Sequence, residues 1–240
     1  MAAIVSPARA AAGVLAAAIL AGYAARAAVV TPWLYQSDFG SVADRVHALA
    51  VQVRARASVG DGARTHEAIS VASGVLIGDG IAIAEFDAVT LSTPDGPAPA
   101  DQIEVVIDDV GPVPARLVAG DEGLDIAVLE LPAAVRRLPG AVMAEDAPGV
   151  GDAALAVGID GDSIQAAEVL LGGSEYAGES DARLRLDREL PLAFRGGPLF
   201  DGHARLVGIA TRPTAAGADA VTTIAALRSL LQKAFASDGI

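Results

Sequence analysis

Leu190-Pro-Leu-Ala-Phe-Arg195-Gly-Gly-Pro-Leu-Phe-Asp201 runs directly into Gly-His-Ala-Arg-Leu-Val-Gly-Ile-Ala-Thr211. The paired glycines predict a tight turn, because glycine takes backbone conformations that a Cβ disfavours. The apolar run 205–211 then reads as the second strand of a hairpin. The same grammar extends outward. Val51, Val53 and Ala55 alternate with Gln52, Arg54 and Arg56, the pattern of a half-buried strand. Residues 69–77 are small or β-branched, end at Gly78-Asp79-Gly80 and return as 81–84, a second hairpin. Further short strands are predicted at 103–108, 113–119, 125–131, 153–157, 164–171 and 184–186. Stretches 60–67, 94–100 and 139–150 read as loops or connections. Helices are expected at 41–48 and at 223–235, the latter with Leu227, Leu230, Leu231 and Phe235 on one side. Many short strands separated by turn signals indicate an all-β barrel or sandwich.

Three segments, in order, carry a resemblance to the HtrA/Deg branch of the trypsin-like serine proteases. The first is Ala72-Ser-Gly-Val-Leu-Ile-Gly-Asp-Gly-Ile-Ala-Ile-Ala-Glu-Phe-Asp87-Ala-Val. The second is Leu124-Asp125-Ile-Ala-Val-Leu-Glu-Leu131, and the third runs ungapped from Leu186-Asp187 through Gly208. The stretch from Gly151-Asp152 to Gly158 adds to the likeness. The resemblance covers residues 41–235 and leaves no stretch for a PDZ domain. It implies a double six-stranded β-barrel with a C-terminal helix. It also implies that the aspartate of the catalytic triad is Asp125, that the histidine position holds Asp87, and that the serine position holds Arg195. The loop that supplies oxyanion donors becomes Ala193, Phe194 and Gly196.

A triad needs a hydroxyl that gives up its proton and an imidazole that takes it. A carboxylate only accepts hydrogen bonds, and a guanidinium stays protonated. The expectation is therefore of vestigial triad positions, with Arg195 ion-paired between Asp87 and Asp125. A guanidinium beside two carboxylates opposes a metal ion there.

Composition narrows the remaining classes. The net charge of -13 argues against nucleic acid, which demands a basic stripe. The chain has no cysteine, so disulfides and thiolate chemistry are absent. His47, His66 and His203 lie far apart and make no ligand pair. They are expected on a helix, in a polar loop and in an exposed turn. Aromatic residues are 4%, too few for stacking platforms. Asp108-Asp109 and Asp121-Glu122 read as solvated strand ends, with calcium as the alternative. Ser73 is a small hairpin residue with no base beside it. No cofactor is implied.

Residues 1–36 read as an address and 37–240 as the domain. Arg9 precedes an uncharged run from Ala10 to Ala25, closed by Arg26. A helix of that length spans about 24 Å, against roughly 30 Å of hydrocarbon. Continuation to Trp33 and Tyr35 supplies the missing length, and Gly13, Ala17, Ala21 and Ala25 recur at the spacing that packs membrane helices. The other reading is a secretory signal cleaved near Ala27. Both export the domain to the periplasm or an equivalent space.

These readings lead to the expectation of a pseudoprotease that is not an enzyme, tethered in the membrane and serving as a scaffold subunit of a membrane-protein complex. A peptide-binding or regulatory domain is the second reading, and an enzyme with a non-standard site the third.

Overall fold

A computed structural model describes residues 39–60, 65–93, 96–174, 182–212 and 219–236. After α1 (Phe39–Val46) and a 3-10 turn at His47–Leu49, the chain enters β1 (Ala50–Gly60). It pairs antiparallel with β2 (Thr65–Gly78), Val53 opposite Ala72 and Gln52 opposite Ser73. Residues 60 and 65–67 of the expected polar loop are thus strand ends, because β1 and β2 extend their ladder into a long two-stranded arm. β3 (Ile81–Ala84), the one-turn helix α2 (Phe86–Val89), and the hairpin of β4 (Thr90–Thr93) and β5 (Gly96–Pro99) follow. A loop was expected at 94–100. The prolines of β5 are tolerated because this strand pairs with β4 alone, leaving its other edge free of a ladder. β6 (Gln102–Ile107), β7 (Gly111–Asp121) and β8 (Ile126–Glu130) complete a closed barrel in the order β1-β2-β3-β8-β7-β6.

The second barrel contains β9 (Ala153–Asp160), β10 (Ser163–Ser174), β11 (Arg183–Leu186), β12 (Pro198–Phe200), β13 (Leu206–Thr211) and β14 (Ala220–Thr223). It closes in the order β10-β11-β14-β13-β12-β9. The final helix, α3 (Ile224–Phe235), packs Ile224, Leu227 and Leu230 inward. The expected double six-stranded barrel with its C-terminal helix is what the chain forms.

Alternation explains how two barrels share one wall. On β6, Ile103, Val105 and Ile107 are buried while Gln102 is exposed, the period of a strand with one wet face. On β3 and β8 both faces are buried. Ala82, Ala84, Ala127 and Leu129 fill the first barrel. Ile83, Ile126 and Val128 point the other way, into a layer shared with α1, α3 and the second barrel's Leu155, Val157, Leu206 and Ile209. Ala154, Ala156, Val169, Leu184 and Val207 fill the second barrel. A strand buried on both faces reads as a continuous apolar run, which is why 81–84 and 126–129 show no alternation. Each fully buried Ile or Leu in the shared layer contributes about 1.5–3 kcal/mol relative to exposure.

The hydrophobic helix expected within residues 1–36 lies outside the described residues. Among the described residues no helix is long and apolar enough to cross a membrane. His47 sits in the exposed 3-10 turn rather than on a helix, its Nδ1 2.8 Å from Asp44 O. His66 is an exposed residue of β2 rather than of a loop.

Candidate functional site

The turn before β8 places Asp125. Its backbone φ is 55°, in the left-handed region that aspartate enters more readily than most side chains. Its N–H donates to Glu122 O at 3.3 Å, and its carbonyl accepts the N–H of Phe86 at 3.2 Å. The second bond stitches the start of β8 to α2. It brings Asp87 N–H to 3.3 Å from Asp125 Oδ1. Two of the sequence-predicted positions, Asp87 and Asp125, therefore meet as expected.

Arg195 does not complete the set. The guanidinium that joins the carboxylates belongs to Arg212, immediately after β13. Its Nε lies 3.6 Å from Glu85 Oε1 and 3.5 Å from Asp125 Oδ2, and its Nη2 contacts Asp87 Oδ2 closely. Glu85 and Arg212 are functional-site residues that the motif reading missed. Their signal was present: Glu85 is a lone carboxylate after the apolar run 81–84, and Arg212 is a lone cation after the apolar run 206–211. Only the pairing of barrel walls joins them.

Electrostatics divides the cluster. Glu85 and Asp125 are each 5% exposed. Burial, then the charge of Asp125 and a hydrogen bond to it, push the Glu85 carboxyl up to about 8, against the opposing pull of Arg195 and Arg212. Burial also raises Asp125, opposed by hydrogen bonds from Glu85 and from the N–H of Arg212, and by the charge of Arg183. Glu85 Oε1 and Asp125 Oδ2 accept no hydrogen bond among the described residues, although both lie within ion-pair distance of Arg212 Nε. Arg183, buried in β11, braces the cation from below. It donates to Thr211 Oγ1 at 3.1 Å, Arg212 O at 2.8 Å and Gly123 O at 3.3 Å.

Arg195 caps a 3-10 turn, Leu192–Phe194, that occupies the expected oxyanion loop. Its N–H donates to Leu192 O at 3.1 Å and that of Phe194 to Pro191 O at 3.0 Å. A donor committed inside its own turn is not aimed at a developing oxyanion. Ser73 clamps this turn. Its hydroxyl donates to Ala193 O at 2.6 Å and accepts the N–H of Ile159 at 2.8 Å, while its N–H donates to Arg195 O at 2.9 Å. One buried serine thus ties β2 to the turn and to β9. Gly196 follows with φ 72°, and its N–H donates to Ala210 O at 2.8 Å. A Cβ there would stand 2.9 Å from Glu85 N and closer still to Ser73 O, so the approach of the two barrels requires glycine.

A small cavity of about 130 Å³ opens beside Asp87, lined by Ala55, Arg56, Ala57, Ile69 and Leu91 among others. Leu192 is 71% exposed on the turn next to Arg195. Chemically, the junction offers charged groups of both signs, an apolar step and a small side-chain pocket. These are means of holding an extended polypeptide. Among the described residues no group of three or more His, Cys, Asp or Glu is arranged to hold a metal ion.

Comparison with known proteins agrees with this geometry. Residues 72–209 match the model of a trypsin-like peptidase domain. No curated protein sequence matches. Among solved structures, an inactive form of the Rv3671c protease superposes with a TM-score of 0.61 at 18% identity, over 80% of this chain and 91% of that one. The active form of Rv3671c protease from M. tuberculosis gives 0.61 at 19% identity, over 80% and 83%. The serine endoprotease from Yersinia pestis gives 0.63 at 21% identity, over 84% and 68%. At these identities the likeness shows the fold. The expectation that the chain is not an enzyme is corrected by the match to a peptidase domain, which points to peptide hydrolysis.

Proposed function

The chain belongs to the family of trypsin-like peptidase domains, and from that premise we propose that it engages extended polypeptide at the junction of its barrels, as a subunit of a membrane-associated assembly on the exported side. The observation that carries the first part is the composition of the junction. From the second barrel, Arg212 contacts Glu85, Asp87 and Asp125 of the first and the charge of Arg195 acts on Glu85, beside exposed Leu192 and the pocket at Asp87. Complementary charges on two walls fix the register of a bound chain more than they add affinity. The apolar step and pocket supply the area that is removed from water. The second part is supported by the sequence alone. The uncharged run from Ala10 to Ala25 behind Arg9 is the natural export signal or anchor.

Two measurements test the reading. Labelled unfolded polypeptides are incubated with the full chain, and both retention and new termini are followed by mass spectrometry. Retention or cutting supports the junction as a polypeptide site; neither removes it. Extraction from native membranes in a gentle detergent, followed by mass spectrometry, reads the assembly and the mature N-terminus together. A free monomer with no co-purifying membrane protein defeats the subunit role.

A further inference from the structure

We infer that Arg195 is a carboxylate receptor, which takes a carboxylate of the polypeptide bound at the junction. This rests on the reading of the junction as a polypeptide site. It adds the chemistry that the site selects.

The observation is an imbalance among the arginines. Among the described residues, those that are buried or half-buried are Arg54, Arg183, Arg195, Arg205 and Arg228. Four have acceptors. Arg54 donates to Gln52 Oε1, Arg183 to Thr211 Oγ1, Arg205 to Asp201 Oδ2, and Arg228 to Ala144 O and Glu145 O. Arg195 has no ion pair or side-chain hydrogen bond among the described residues, in a chain with 30 acidic residues. A half-buried guanidinium without acceptors has given up hydration and received nothing for it.

Its surroundings keep it available. The carboxyl that feels its charge is Glu85, which burial and the charge of Asp125 raise to about 8. A neutral neighbour neither neutralises Arg195 nor repels an incoming anion. Asp87 and Asp125, which could compete, are engaged by Arg212. The backbone of Arg195 is fixed on both sides, by Ser73 N–H to its carbonyl and by its own N–H to Leu192 O. The root of the side chain is therefore held in place, and a planar fork matches a carboxylate through two parallel hydrogen bonds. Exposed Leu192 offers apolar contact to the residue that bears the carboxylate.

The carboxylate can come from the end of a chain or from an Asp or Glu side chain, and the test separates them. A library of fluorescein-labelled hexapeptides is made as free acids and as C-terminal amides, each with Asp and Glu included or replaced by Asn and Gln. Retention on the full chain is measured by anisotropy and mass spectrometry. Expected is a preference of at least about tenfold for one carboxylate source, the fold-change that a charge-assisted hydrogen bond supports. Arg195→Gln abolishes it, and Arg195→Lys keeps part of it because the charge remains. Circular dichroism and melting of each variant establish that it is folded. Equal retention of all four peptide classes overturns the inference and leaves the polypeptide site standing. An unchanged preference in Arg195→Gln also overturns it. No retention of any class removes the polypeptide site as well.

Discussion

Asp201 and the pair Glu85–Asp125 solve the same problem in opposite ways. Burial raises the Asp201 carboxyl, but the N–H of Arg205, its guanidinium and the N–H of His203 outweigh this and hold it below its ordinary range. Those donors lie at 2.7–2.9 Å. They come from the residues of its own hairpin turn, so the site is complete within five residues. Glu85 and Asp125 draw on residues far apart in sequence and receive fewer donors. Among the described residues two of their oxygens accept no hydrogen bond, and burial raises both carboxyls instead. A locally satisfied carboxylate stabilises the fold. A pair assembled across two barrels leaves residual demand at the junction, and that is where ligand chemistry is possible.

The comparison can be broken most severely at Gly196. Gly196→Ala forces a side chain at a left-handed φ into Ser73 O and Glu85 N, separating the walls that assemble the pair. A loss of about 3 kcal/mol or more is expected in urea denaturation. A midpoint equal to the parent chain would show that the junction tolerates an opening.

Removing the shared cation comes next. Arg212→Ala leaves Asp87 and Asp125 without their guanidinium. Because Arg212 is itself half-exposed, the loss is discounted from that of a buried pair to about 1–2 kcal/mol. Denaturation at pH 6 and pH 9 should give the larger loss at pH 9, where Glu85 has also ionised. Equal losses would mean that Arg212 does not face the pair in solution.

Glu85→Gln sharpens the sign. A carboxyl raised from its ordinary 4.5 to about 8 binds its proton more tightly in the folded chain than in the unfolded one. The contribution of this group is therefore greatest below about 4.5 and declines as pH rises towards about 8, then levels off. The glutamine variant should lack that decline and surpass the parent at alkaline pH. A parent whose stability is flat across this interval would remove the proton from the pair.

The smallest effect belongs to the satisfied site. Asp201→Asn should lose about 1 kcal/mol at pH 7, since its amide offers one oxygen to three donors. Because the folded carboxyl titrates below its ordinary 3.8, its stabilisation is present above that value and disappears as pH falls through the folded one. Parent and variant should therefore converge in acid. A difference that persists at pH 2 would assign the effect to packing instead.

Much of the fold was legible because barrels are written in local code. Gly78-Asp79-Gly80 and Gly196-Gly197 mark turns by what glycine permits, and the alternation around Ile103, Val105 and Ile107 marks a strand with one wet face. The strands of β5 and the far end of the β1–β2 arm were hidden, since proline and polar residues read as loop wherever a ladder has no need of their donors or burial. At the site, Asp87 and Asp125 were legible through their motifs. Arg212 and the burial that raises Glu85 were not, because neither has a local signature.

By itself the sequence determined the double barrel, since turn chemistry and alternation act over a few residues. The tertiary structure alone decided which arginine closes on the carboxylates and which stays unpaired. That choice follows from where β3, β8 and β13 converge, and from the cost of burying charge, which depends on neighbours contributed by the whole chain.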